Sequence, residues 1–185
     1  MLRRGFKSEA EWYSKEFRRE LGLERTAPLC PWKLSEHLDI PVHPLGLYRQ
    51  HHPMEVDHLR SRMGRSEFSA ITLCFGSRRL IIHNDGHSRK RQAADVIHEL
   101  SHCILAHPTK PPFDEAGSRH YDPVLEAEAN WLGPALLISE ETALYIVKQN
   151  IAIPAASDLY QVSEDLIRMR LNVTAAYKRV KGNAA

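Results

Sequence analysis

Cysteine is scarce in this chain of 185 residues: Cys30, Cys74 and Cys103 are an odd number with no C-x-x-C spacing. That argues against a disulfide framework and an all-cysteine zinc site, and leaves three reduced, half-buried small residues. No apolar run approaches the ~20 residues that span a bilayer. No polar low-complexity tract is present either, and 43% hydrophobic with 26% charged residues is the balance of an ordered, soluble globule. An excess of one charge is also missing: 25 Lys+Arg against 23 Asp+Glu leave a net +2. The field is too small to grip a nucleic-acid backbone, although Arg60, Arg62, Arg65 and the run Arg89-Lys90-Arg91 are locally basic. Met1 to Glu11 carries charge on both sides of Phe6 and lacks an apolar segment, so it does not read as a secretory leader and the cytoplasm is the expected location. No internal repeat is visible. What stands out instead is 11 histidines.

The length suits one domain with a substantial core. Trp12, Tyr13, Phe17 and Leu21 recur near a 3.6 period, which predicts an amphipathic helix over Ser8 to Leu21, stopped by Gly22. A short helix is predicted from Pro31 to Leu38, with Leu34 and Leu38 inward, followed by a strand-like stretch through Val42. Tyr48 to Ser66 has no clean period and reads as a long connector with a helical turn at Met54 to Leu59. Phe68 to Phe75 and Arg78 to His83 are β-rich and flank Gly76-Ser77, the composition of a two-residue hairpin turn. Ser88 is a plausible N-cap for a long helix that runs to about His107, before Pro108. Its expected buried stripe is Ala94, Ile97, Ser101, Ile104 and Leu105, widened by Val96, Leu100 and Cys103. After a loop from Lys110 to Tyr121, another helix opens at Pro123, and Pro134 should kink or restart it. Two or three short helices close the chain, one capped by Ser163.

The informative string is His98-Glu99-Leu100-Ser101-His102, an H-E-x-x-H run inside the predicted helix. Residues four apart on a helix project from one face ~6 Å apart, so both imidazoles can ligate one zinc ion. Glu99 lies about 100° round and can reach a water at the metal rather than the metal itself, the position of a general base. A catalytic zinc also needs a third protein ligand, and Glu126 and Glu128 lie on the next helix. Only one of them can face the metal. Glu126 is preferred, because Ala129 and Asn130 beside it suit a crowded metal face, whereas Glu128 shares its side with Leu125, Trp131 and Leu132. His107 does not complete the extended metzincin pattern, since Leu105 and Pro108 stand where Gly and His belong.

Those residues, with Val96-Ile97 before the motif and Glu126-Ala127-Glu128-Ala129-Asn130 ahead of Leu136-Leu137, make the chain resemble the ImmA/IrrE family of zinc metallo-endopeptidases. Leu21-Gly22-Leu23, Leu38 to Val42, Phe68-Ser69-Ala70 and Arg170-Leu171-Asn172 with Val173-Thr174 look similar to it as well. The resemblance implies an α+β zincin-like metallopeptidase domain with a small antiparallel sheet, an active-site helix and a helical C-terminal part. The peptidase domain would occupy 1–150, with a helical subdomain at 151–185 packed on it. It implies Zn²⁺ held by His98, His102 and Glu126, with Glu99 as catalytic base. The implied substrate is a protein, in relatives a helix-turn-helix transcriptional repressor cut after stress or in mobile elements. The chain departs from the family at Leu132-Gly133 and Ile138-Ser139, where Phe-Ala and Met-Pro are usual. At this length it is expected to lack the extra DNA-binding or sensor domains of some relatives.

Further features carry weaker readings. The exposed edge of the hairpin could align an extended peptide by strand addition, and His120 or Tyr121 could stabilise the oxyanion. Arg91 is expected to pair with Asp95, while His51-His52 and the pair His83 and His87 read as surface residues. Val162 to Leu171 resembles part of a helix-turn-helix, but Glu164 and Asp165 put acid where phosphates would approach, so direct nucleic-acid binding is disfavoured. The rival to the peptidase is a non-catalytic zinc-fold binding module that regulates a partner in a repressor or toxin–antitoxin pair.

Overall fold

The computed structural model describes residues 2–108 and 122–182. Helices α1 (Phe6–Glu20) and α2 (Pro31–His37) come first, then strand β1 (Val42–Pro44) and helix α3 (Pro53–Arg60). The hairpin β2 (Ala70–Phe75) and β3 (Arg78–His83) leads into the long helix α4 (Arg89–Ile104). Beyond residue 121 follow α5 (Pro123–Leu137), α6 (Glu140–Lys148), α7 (Ile153–Tyr160), α8 (Glu164–Val173) and α9 (Ala176–Gly182). This is the expected α+β class.

The hairpin forms as predicted, antiparallel from Ala70↔His83 to Phe75↔Arg78. Gly76, at φ +63°, supplies the positive φ that a two-residue reversal requires. The third strand is different in kind: β1 pairs in parallel with β3, Val42 opposite Ile81, so the strand order is β1-β3-β2. A strand of three residues is too short for alternation to reveal its partner or direction. β2 is therefore the edge next to α4, and among the described residues no strand pairs with its outer side.

Helix α4 packs against the hairpin, α2 and α5, so it lies in the middle of the fold. Ser88 caps it, accepting from the Arg91 N–H at 3.4 Å. Its buried residues are Ala93, Val96, Ile97, Leu100 and Ser101 with Asp95, whereas the expected Ala94, Ile104 and Leu105 are only partly covered. The helix stops at Ile104 rather than near His107 because Ala106 turns left-handed at φ +50°. The Ala106 N–H then donates to Cys103 O and the His107 N–H to His102 O, the paired bonds of a Schellman ending with alanine where glycine is customary. In α1 the buried positions are Phe6, Ala10, Ser14, Phe17 and Arg18. Trp12, expected on the apolar stripe, is 55% exposed, because the inward stripe runs from Phe6 through Ala10 and Ser14 instead.

Helix α5 runs unbroken through Pro134, contrary to the expected restart. Pro134 lies in the last turn, so its missing N–H removes a single ladder bond just where the helix is ending. The carbonyls left open at that end are answered by side chains. Ser14 Oγ donates to Ala135 O at 2.8 Å, Arg18 Nη2 to Leu137 O at 3.3 Å and Arg170 Nε to Ile138 O at 2.7 Å. Both arginines are almost fully buried, and they place positive charge at the negative end of the helix. Burial pushes the Arg18 guanidinium down to about 10, and Glu11, which forms an ion pair with Arg170, is the largest opposing influence. The stretch that resembled a helix-turn-helix is spent on packing: Ile167, Arg170 and Leu171 are buried, and Ser163 caps α8 through the Leu166 N–H. No described helix is long and apolar enough to cross a membrane.

Candidate metal centre

The site is made where α5 crosses α4. Gly133 permits the close approach: a Cβ there would stand 3.3 Å from Ile97 Cγ2 and 3.4 Å from Ser101 Oγ. Ser101 ties its own hydroxyl back to Ile97 O at 2.7 Å and so leaves this contact face smooth. At the other end of α5, Asp122 accepts from the Val124 and Leu125 N–H groups, which fixes the first turn and Glu126 within it.

The structure brings His98, His102 and Glu126 together. His98 Nε2 and His102 Nε2 are 3.2 Å apart, and Glu126 reaches them with Oε2 at 3.3 Å and Oε1 at 3.4 Å. Among the described residues this is the group of His, Cys, Asp or Glu side chains whose donor atoms converge tightly enough to hold a metal ion. The spacing fits such an ion well. Four ligands set tetrahedrally at ~2.0–2.1 Å from zinc lie ~3.3–3.4 Å from one another; the 3.2 Å between the two histidine nitrogens is near that value, and the carboxylate straddles the pair, Oε2 toward His98 and Oε1 toward His102. Two imidazole nitrogens and one carboxylate form a donor set of borderline softness that suits zinc.

Electrostatics follow from the same contacts. Hydrogen bonding to His102 and His98 holds the Glu126 carboxyl far below the usual carboxylate range, against the opposing effect of burial. For His98, burial disfavours the charged ring, but Glu126, Glu99 and Asp95 together outweigh it and raise the imidazole above its ordinary value. The pocket therefore favours positive charge at its centre.

Glu99, next on α4, takes no part in that triangle. Its Oε2 accepts a 2.5 Å hydrogen bond from Thr72 Oγ1 on the edge strand β2. Thr72 was not singled out in the sequence. The available signal was that a hairpin preceding an H-E-x-x-H helix must turn alternate side chains toward it. Glu128, the alternative to Glu126, points elsewhere: it is 6% exposed and lies against Arg3 Nε at 2.9 Å and His107 Nε2 at 3.3 Å. Burial lowers the His107 pKa, with Glu128 acting in the opposite direction. A cleft of about 380 Å³ opens beside the site, lined by Ser69, Arg91, His98, Glu99, Asn130 and Leu166 among others.

His120 and Tyr121 lie outside the described residues. His51 and His52 are exposed, as expected. His83 and His87 are not surface residues. His83 is 3% exposed, and His87 packs its ring between Asp95, at 3.0 Å, and the Arg65 carbonyl, at 2.7 Å. The turn after β3 folds under α4, which sequence spacing does not reveal. Arg91 does pair with Asp95, Nε to Oδ1 at 2.8 Å.

A mixed α+β domain with a histidine–histidine–carboxylate triangle on crossed helices, beside an open sheet edge, defines a class: a zincin-like domain of metallopeptidase type. A family model described as the IrrE N-terminal-like domain, a peptidase family, matches residues 43–172, well over half of the chain, and the protein belongs to that family. No curated protein and no solved structure gives a significant match. Membership makes the function metallopeptidase-type, with a protein as substrate and a metal ion as cofactor.

Proposed function

We propose that the protein is a zinc-dependent endopeptidase in which His98, His102 and Glu126 hold the zinc and Glu99 is the catalytic base. The observation that carries this reading is the convergence of His98 Nε2, His102 Nε2 and the two oxygens of the Glu126 carboxylate, at 3.2, 3.3 and 3.4 Å, with Glu99 outside that group and bonded to Thr72. Held by these residues, a zinc ion would lower the pKa of water toward ~7 and polarise a carbonyl oxygen. Glu99 accepts the proton of the attacking water and then returns it to the amine nitrogen as the peptide bond breaks. The carboxylate oxygen bonded to Thr72 stays anchored, so the proton moves through the other oxygen. An extended substrate segment adds to β2 in the cleft beside Arg91 and Asn130, its backbone read by the strand edge that no described strand covers.

The proposed substrate is a helix-turn-helix transcriptional repressor, cut in the cytoplasm to relieve repression under stress. This rests on the family resemblance and on the open edge, which suits an extended linker more than a folded helix. The test is co-expression of the chain with a panel of helix-turn-helix repressors, comparing parent with Glu99→Gln. The proposal expects fragments with the parent and none with Glu99→Gln, at equal zinc content. Fragments with both would overturn Glu99 as the base, and an unchanged regulatory effect without any cleavage would mean a binding module instead.

A further inference from the structure

The ring nitrogen of His102 that faces away from the Glu126 triangle is not left to solvent. His102 Nδ1 lies 2.8 Å from His107 Nδ1, His107 Nε2 lies 3.3 Å from Glu128 Oε2, and Glu128 Oε1 accepts from Arg3 Nε at 2.9 Å. Arg3 turns the rest of its guanidinium to Glu9, at 2.7 Å. His107 and Glu128 are both buried, at 7% and 6% exposure, so each polar atom there needs its partner. The Schellman ending of α4 is what swings His107 back under His102.

With both rings neutral, only one placement of protons satisfies this chain. If His107 Nδ1 donated to His102, the lone pair of His107 Nε2 would face the Glu128 carboxylate and the His102 proton would sit on Nε2, inside the triangle. With the proton on His102 Nδ1, each step is donor to acceptor: His102 to His107, His107 Nε2–H to Glu128, and Arg3 to Glu128. The His102 Nε2 lone pair then points at the triangle. A carboxylate or equivalent acceptor behind a metal-binding histidine fixes its tautomer and orientation and raises its basicity.

We infer that His107 and Glu128, closed by Arg3, are positioning residues that hold His102 in its Nδ1–H form and thereby couple the N-terminal segment to metal affinity. This rests on the reading of His98, His102 and Glu126 as the metal site. The experiment is zinc affinity by competition with a chromophoric chelator, with far-UV circular dichroism of each metal-free variant to check folding. His107→Phe and Glu128→Gln should weaken zinc about 10- to 100-fold. His107→Gln should recover most of that loss, since its amide can accept from His102 and donate to Glu128. Arg3→Ala, at a half-exposed position that does not threaten folding, should cost less than Glu128→Gln. In long-range ¹H–¹⁵N spectra of the zinc-loaded parent, His102 should carry its proton on Nδ1. Parent-like affinity in His107→Phe, Glu128→Gln and Arg3→Ala, while Glu126→Ala has lost zinc, overturns the relay and leaves the metal site standing. Parent-like affinity in Glu126→Ala and His102→Ala as well overturns the metal site, and the relay with it.

Discussion

The crossing of α4 and α5 sets the geometry of the metal centre, and Gly133 is the residue through which that crossing can be perturbed. A Cβ added at Gly133 meets Ile97 Cγ2 at 3.3 Å and Ser101 Oγ at 3.4 Å, a few tenths of an ångström inside the ~3.5–4.0 Å of an ordinary carbon contact. Gly133→Ala gains about 1 kcal/mol of helix propensity and loses a similar amount in that squeeze, so its stability should stay within about 1 kcal/mol of the parent. Gly133→Val adds two further methyl groups beside that tight contact, at a cost of ~1–3 kcal/mol. Relief comes by moving α5 away from α4, which carries Glu126 away from both histidines and lengthens the 3.3 and 3.4 Å edges. Urea unfolding of the metal-free protein measures the first effect and chelator competition the second. The expected result is a near-neutral alanine variant and a valine variant that is both less stable and weaker for zinc. A valine variant that matches the parent in both would refute the close-approach argument. One that loses stability but keeps its zinc affinity would refute the link between helix crossing and site geometry.

Other outcomes follow from single contacts. Ala106 holds φ +50° at the end of α4, so Ala106→Gly should raise stability by about 1 kcal/mol in thermal or urea unfolding. His83 is buried with no partner for Nδ1 among the described residues, and burial lowers its pKa. The neutral ring is then the folded form, its contribution complete above about pH 6.5 and lost as pH falls through the depressed folded value. His83→Phe should therefore show a smaller drop in Tm between pH 8 and pH 5 than the parent shows. Thr72→Val removes the donor to Glu99, and should lower peptidase turnover about tenfold or more, ~1.4 kcal/mol, with zinc content unchanged and activity restored by Thr72→Ser.

Much of this arrangement can be read from the chain because its determinants are local. Ser88, the apolar period through Val96, Ile97 and Leu100, and Gly76 between two β-rich runs specify α4 and the hairpin with short-range chemistry. The convergence of Glu126 on His98 and His102 was legible in part, from the small residues around Glu126. What stayed hidden depends on contacts between distant segments. The parallel pairing of β1, the burial of His83 and His87, and the tie from Arg3 to Glu128 across 125 residues leave no periodic trace. Trp12 was misread because a large aromatic at helical spacing looks like core, while the buried face of α1 is lined by the small Ala10 and Ser14. The alanine at position 106 gave no sign of a helix end, since the turn there is held by its hydrogen bonds and not by a glycine.

Metal analysis by mass spectrometry on the purified parent, His98→Ala, His102→Ala, Glu126→Ala and Glu99→Gln tests the central claim most directly. The account predicts about one zinc per chain in the parent and in Glu99→Gln, and its loss from the other three. Undiminished zinc in any two of those three, in protein that remains folded, would contradict it.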